Sequence, residues 1–230
     1  MIQLSKRLKT VASFVTPGKR IADVGTDHGY VPIYLVQSER TPYALAMDIN
    51  KGPLSHAKEN ILRYNLQNRI ETRLSNGLRE YNRGEADSII IAGMGGNLMV
   101  QILSEAFDKW KDDAELVLSP HSEAELVRKY LLENSMVIEE ECMLIDEDKY
   151  YVVMRAVSGK SDYENEAHFR YGKLLLERKD AVLYEYLKKE LAKKEQIEAA
   201  LKQSSSVAAN GRMEELIAEK IVLADALSYY

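Results

Sequence analysis

Between residues 20 and 157 the chain alternates short apolar runs with amphipathic stretches, and each change of period marks a change of element. Ile21, Ala22 and Val24 form a first buried strand, Gly25, Asp27 and Gly29 a turn, and Tyr30 to Gln37 the start of a helix. The segment from Thr41 is apolar to Met47 and ends in Asp48, a second strand before a helix starting near Pro53. Ile70 to Leu74 is a third strand. Asp87 to Ala92 is β-branched and nearly continuous, as in a central parallel strand buried on both faces, and a helical pattern follows from Leu98 through Trp110. Glu115 to Leu118 is a fifth strand and Glu123 to Asn134 a helix. Met136 to Ile145 and Tyr150 to Val157 are two further strands joined only by Asp146-Glu147-Asp148-Lys149. A link that short makes a hairpin, because parallel neighbours need a crossover of about a dozen residues or more. The pattern predicts an α/β, Rossmann-like domain over residues 1–158, with seven strands and an antiparallel last strand.

The pattern changes after residue 158. From Tyr163 to about Gln203 there is no proline and no glycine beyond Gly172, with apolar residues at Leu176, Leu183, Leu187, Leu191, Ile197 and Leu201. Met213, Leu216, Ile217, Ile221, Ala224 and Leu227 repeat similarly after Ser204-Ser205-Ser206 and Asn210-Gly211. Residues 159–230 are therefore expected to be a helical domain, two helices and a polar turn packed as an antiparallel coiled-coil hairpin. Heptads alone leave monomer and homodimer both open.

Composition removes several classes of function. With 46% hydrophobic residues the 230-residue chain has ample core for one α/β domain and an appendage. The N-terminal segment carries Lys6, Arg7 and Lys9 with no sustained apolar run after them, so neither a leader nor a membrane span is expected. The lone Cys142 falls in a strand and is expected to be buried as a small hydrophobe. Four histidines lack metal-ligand spacing, so no metal is expected. The expected location is cytoplasmic.

The candidate chemistry begins in RIADVGTDHGYVPIYL, residues 20–35. A dinucleotide loop needs glycines where the main chain meets a pyrophosphate. Here Asp27 stands between Gly25 and Gly29, and with Asp23 it would repel a pyrophosphate while suiting an ammonium and a sulfonium, which points to S-adenosyl-L-methionine. Asp23, Gly25, Thr26, Asp27, His28 and Gly29 are the candidate cofactor loop; a purely structural glycine turn is the alternative, and for His28 a surface hydrogen bond. Asp48, with Ile49 beside it, falls where an acid accepts ribose hydroxyls; otherwise Asp48 caps the next helix. Asn76-Gly77 either reads the adenine edge or is an ordinary turn. Gly93, Met94, Gly95 and Gly96 follow a buried strand, where three glycines imply close approach to the main chain.

The loop ADVGTDHGYVPIYL, the acid of MDIN, the strand end IAGMGGNLM and the segment LVLSPHSEAELVRKYL together resemble the bacterial tRNA (adenine-22 N1)-methyltransferases, of the TrmK type, over essentially the whole chain. The family position of Ser119-Pro120-His121 is often Gln-Pro-Asn, and this chain departs there. The resemblance implies a class I, S-adenosyl-L-methionine-dependent enzyme that methylates N1 of adenine 22 in tRNA. The methylated base is cationic, so Asp27 is expected to stabilise it or else to hold the cofactor's ammonium group, and Gly93, Met94 and Gly95 are expected to act with it in catalysis by shaping the slot for the base; Tyr30 either stacks on that base or only packs at the helix start. Substrate contacts are expected at Tyr30, Gly96, Pro120 and Arg7 and, on the first long helix, at Lys188, Lys189 and Lys193. A basic patch of Lys6, Arg7, Lys9, Lys19 and Arg20 near the crevice would act with those lysines and Lys194; the plain alternative is a solvated helix face paired with Glu190 and Glu195. Against RNA stands the net charge of −5 and a pI near 5.6. A small-molecule methyltransferase and a non-enzymatic nucleotide-binding scaffold are the remaining alternatives.

Overall fold

The computed structural model describes residues 2–111, 114–160, 162–203 and 207–230, without the side chains of 207–209. The chain divides into two compact units, Met1–Ser161 and Asp162–Tyr230.

The first unit holds helices α1 (Lys6–Phe14), α2 (Tyr30–Gln37), α3 (Lys51–Arg63), α4 (Gly96–Glu105), α5 (Phe107–Trp110) and α6 (Ala124–Glu133). Its strands are β1 (Ile21–Val24), β2 (Ala44–Asp48), β3 (Ile70–Leu74), β4 (Ser88–Ala92), β5 (Glu115–Ser119), β6 (Met136–Asp146) and β7 (Lys149–Ser158). They form one seven-stranded sheet in the order β3-β2-β1-β4-β5-β7-β6. Strands β1 to β5 are parallel, and β7 runs antiparallel to both β5 and β6. Every residue of β1, β2 and β5 is buried, because helices cover both faces of the central strands. Ile21, Ile90 and Val117 are core residues on β1, β4 and β5, and Val11, Ala12 and Phe14 of α1 pack into the same cluster.

The two-strand ending matches the expectation from its four-residue link. The helical pattern expected from Leu98 through Trp110 is instead broken at Ala106 (φ −121°), so that α5 folds back and the buried Trp110 donates its indole N–H to the Leu103 carbonyl at 2.9 Å. Cys142 is half-buried rather than enclosed. Helix α1 carries a periodicity that the strand pattern obscures: Ser5 caps it by accepting from the Leu8 N–H, and Val11, Ala12 and Phe14 face inward.

The second unit contains a π-helical turn (His168–Gly172), α7 (Lys173–Glu177), α8 (Ala181–Lys202) and α9 (Val207–Leu227). A single helix from Tyr163 to Gln203 is therefore incorrect. Gly172 (φ +94°) and Lys179 (φ +56°) take left-handed conformations, and Asp180 caps α8 by accepting from the N–H groups of Val182 and Leu183 at 3.0 Å each. Asn210-Gly211, expected in the turn, lies inside α9; Ser204-Ser205-Ser206 lies outside the described residues. Helices α8 and α9 pack together, burying Leu183, Leu187, Leu216 and Leu223.

Candidate active site

The loops after β1, β2, β4 and β5 all leave the carboxyl ends of parallel strands, where open α/β sheets bind ligands. The first of them is fixed to β2: the N–H groups of Gly25 and Thr26 both donate to the Met47 carbonyl, at 2.9 and 2.8 Å. Gly25 takes φ +78°, and a side chain there would meet the Met94 methyl at 2.9 Å. Met94 thus bridges the first and fourth strand ends. Asp23 is 7% exposed, and burial, reinforced by the charge of Asp48, pushes its carboxyl up to about 6.

Asp27 is exposed, with His28 Nε2 3.2 Å from its carboxylate. His28 has φ +58°, and its carbonyl accepts from the Asn60 amide at 3.0 Å. Its ring lies between those of Tyr30 and His56, at centroid distances of 5.2 and 5.1 Å, both stacked. His56 was not legible as a site residue, since on sequence it is one polar position among several on α3. Tyr30 is 37% exposed at the start of α2.

At the end of β2, Asp48 is 8% exposed, and its Oδ1 accepts the Asn50 N–H at 2.7 Å. Helix α3 starts from Asn50 without any side-chain cap, so Asp48 is not the cap of that helix. Its other carboxylate oxygen takes no bond from the described residues. Ile49 beside it is 57% exposed. Asn76 is exposed in a short turn in which its carbonyl accepts from the Arg79 N–H at 3.2 Å. Gly77 (φ +58°) is small for a packing reason, since a Cβ would lie 2.9 Å from Ile102.

The glycine turn after β4 is laced to the loop after β5. Gly93 N–H donates to the Ser119 carbonyl (3.2 Å), His121 N–H to the Met94 carbonyl (3.0 Å) and Gly96 N–H to the Ser122 carbonyl (3.0 Å). A Cβ on Gly96 would meet the Glu123 carbonyl oxygen at 2.4 Å, and one on Gly95 the Ser122 hydroxyl at 3.1 Å. The close approach inferred from these glycines is therefore, at Gly95 and Gly96, by the protein's own chain. Glu123 (φ +56°) returns the contact, accepting from the Asn97 side-chain amide at 2.6 Å. Pro120, expected to contact substrate, is buried directly after β5. At Gly93 (φ +91°) the space is bounded by Arg7 and His121. Burial and the nearby Arg7 and Lys149 charges lower the His121 pKa, favouring the neutral ring.

Lys19 and Arg20 do not join the expected basic patch. Lys19 pairs with Glu115 at 2.9 Å and Arg20 with Asp87 at 2.7 Å, at the amino ends of the strands, opposite the crevice. Arg7 alone of these is placed at Gly93. Within the second unit Lys189 pairs with Glu185, and the buried Lys194 pairs with Glu190 and Glu219. Lys193 is exposed, and Lys188 Nζ sits 4.4 Å from the Tyr184 ring centroid. Among the described residues no group of three His, Cys, Asp or Glu could hold a metal ion, and no helix is long and apolar enough to cross a membrane.

A parallel sheet with an antiparallel last strand, and acids at the ends of β1 and β2 beside a glycine turn, define a class I methyltransferase domain; residues 4–154 match the family model described as a methyltransferase domain. The chain is 33% identical over 227 residues to the tRNA (adenine(22)-N(1))-methyltransferase of Bacillus subtilis (strain 168), covering 96% of this chain and 95% of that one. Its fold is similar to the crystal structure of the B. subtilis m1A22 tRNA methyltransferase TrmK, with TM-score 0.91, 31% identity and coverage of 98% and 99% of the two chains. It is also similar to a Streptococcus pneumoniae structure in complex with S-adenosyl-L-methionine, with TM-score 0.86, 30% identity and coverage of 98% and 100%. The chain belongs to the tRNA (adenine(22)-N(1))-methyltransferase family.

Proposed function

We propose that the protein transfers a methyl group from S-adenosyl-L-methionine to N1 of adenine 22 in tRNA, in the cytoplasm. The observation that carries this reading is likeness to the B. subtilis enzyme over nearly the full length, helical unit included. The residues at the strand ends fit the donor. Asp23 and Asp27 supply anions for its cationic end, the Gly25 main chain is open to close approach apart from the terminal methyl of Met94, and Ile49 offers an apolar shelf. Bound there, the donor supplies a methyl group on a positively charged sulfur.

The protein's own groups then bind and orient. The unpaired oxygen of Asp48 accepts ribose hydroxyls, while Ile49 and the exposed Asn76 amide meet the adenine of the donor. Gly93, Met94 and Gly95 border the slot for the target base, and the Tyr30 ring stacks on it, a contact worth about 1–3 kcal/mol. Adenine N1 has an in-plane lone pair that is mostly unprotonated at neutral pH, so no strong base is required. Catalysis is then mainly placement, which can lower a barrier by about 7–11 kcal/mol in favourable cases. The methylated base is cationic, and the carboxylate of Asp27 stabilises that charge as it develops. In residues 159–230, Lys188 and Lys193 of α8 contact the tRNA backbone.

The test is transfer of labelled methyl from the donor into bulk bacterial tRNA, with N1-methyladenosine located by its block to reverse transcription. A stop at position 22 is expected. Label in a small-molecule extract and none in tRNA would refute the assignment.

A further inference from the structure

Arg7 occupies a position that a tRNA patch does not explain. Its Nη1 is closed to solvent and has no hydrogen-bond partner, a costly state for a charged group. The side chain is nevertheless held in place. Its main-chain N–H donates to Asp146 Oδ2 at 2.9 Å in the β6–β7 hairpin, and its guanidinium carbon lies 5.3 Å from the Tyr151 ring centroid. Nη1 lies 3.6 Å from the point that a Cβ on Gly93 would occupy, and His121 Nε2 lies 3.9 Å from that same point. The missing side chain of Gly93 thus leaves a small space faced by a cation and an imidazole, at the strand end beside β1.

The methyl donor brings three charges to this region: a sulfonium, an ammonium and a carboxylate. Asp23 and Asp27 suit the two cations and would repel the anion. The Lys19 and Arg20 side chains are spent on ion pairs at the other end of the sheet. We propose that Arg7 receives the carboxylate of the methyl donor, its guanidinium closing the amino-acid end of the donor subsite opposite Asp23 and Asp27. An inward-facing Nη1 buried beside Gly93 matches a small ligand held within the crevice better than the phosphates of a folded RNA riding outside it.

This assignment rests on the donor being S-adenosyl-L-methionine, and the test separates the two claims. Donor affinity of the full-length protein is measured by calorimetry for S-adenosyl-L-methionine, S-adenosyl-L-homocysteine and decarboxylated S-adenosylmethionine, which keeps the sulfonium and ammonium but lacks the carboxylate. Arg7→Ala is expected to weaken the first two by about 10- to 100-fold, as for loss of a charged hydrogen bond. The decarboxylated ligand should change by less than about threefold, well below the tenfold that 1.4 kcal/mol represents. Arg7→Lys, which keeps the charge and most of the stem, should recover part of the loss, and it carries the test if Arg7→Ala does not fold. Equal losses for all three ligands, or unchanged donor affinity with weakened tRNA binding, would overturn the role of Arg7 while leaving the methyltransferase reading intact. Wild-type protein that binds none of the three would overturn both.

Discussion

Replacing Gly96 by alanine tests whether the glycine turn exists to meet a ligand or to meet the protein's own chain. The added methyl would sit 2.4 Å from the Glu123 carbonyl oxygen, 2.9 Å from that of Ser122 and 3.0 Å from the Glu123 carbonyl carbon. All three are main-chain atoms in a loop whose Glu123 is already left-handed, so relief requires moving the backbone by about 1 Å to reach ordinary contact distances. Overpacking of this kind costs about 1–3 kcal/mol. For a chain of this size that lowers the melting temperature by about 2–12 °C. The single tryptophan, Trp110, is buried on α5 in the same unit, so its fluorescence on heating reports this unfolding. Gly52→Ala is the matched control: it lies on α3 with nothing within 4 Å of the added carbon, and should stabilise by about 0.5–1 kcal/mol. The loop that must move carries His121, hydrogen-bonded to Met94, so the Gly96 variant should also lose about 100-fold in kcat, as for a displacement near 1 Å at a reacting centre. A Gly96→Ala protein as stable as Gly52→Ala would refute the packing argument.

Asp48→Ala should weaken donor binding by about 10- to 100-fold, the loss of charged hydrogen bonds to a ribose, as read by calorimetry; wild-type affinity would leave Asp48 only its bond to Asn50. Burial raises the Asp23 carboxyl to about 6 against an ordinary 3.8, so it is ionised at neutral pH but folding favours its protonated form relative to the unfolded chain; it stabilises the free protein below pH 4 and that contribution is lost as pH rises through 6. Asp23→Asn should therefore melt higher than wild type at pH 7 to 8, by at most about 3 kcal/mol, with the advantage gone by about pH 4. Neutralising Lys188 and Lys193 together, as Lys188→Gln and Lys193→Gln, should raise KM for tRNA and reduce the slope of log affinity against log salt by about 1–2, while donor affinity stays unchanged. An unchanged salt slope would take those two side chains out of the RNA contact.

The centre of the sheet was legible because β1, β2, β4 and β5 are buried on both faces and so spell continuous apolar runs; β4 and β5 differ from the sequence reading only in an end residue. The break at Ala106 was not, because it depends on Trp110 reaching back to a carbonyl in the preceding helix, which no local pattern encodes. Asn210-Gly211 looked like a turn and is helical, since packing along α9 through Leu216 and Leu223 outweighs a local preference of about 1 kcal/mol. The stop between α7 and α8 was readable in principle from Asp180, a capping residue in mid-pattern. In the site, Asp23, Asp48 and Gly25 stood out because their residue types are unusual at strand ends. The roles of Gly77 and Gly96 did not, because a glycine that accommodates Ile102 or a neighbouring carbonyl has the same letter as one that accommodates a ligand. Lys19 and Arg20 were misplaced for a related reason: proximity in sequence to the loop put them at the opposite end of β1.

The most direct test of the central claim compares two tRNA transcripts that differ only at position 22, one carrying adenine and one carrying guanine, each incubated with the purified protein and S-adenosyl-L-methionine. Stoichiometric N1-methyladenosine in the first and background methylation in the second is the predicted result. Equal methylation of both transcripts, or of neither, would contradict it.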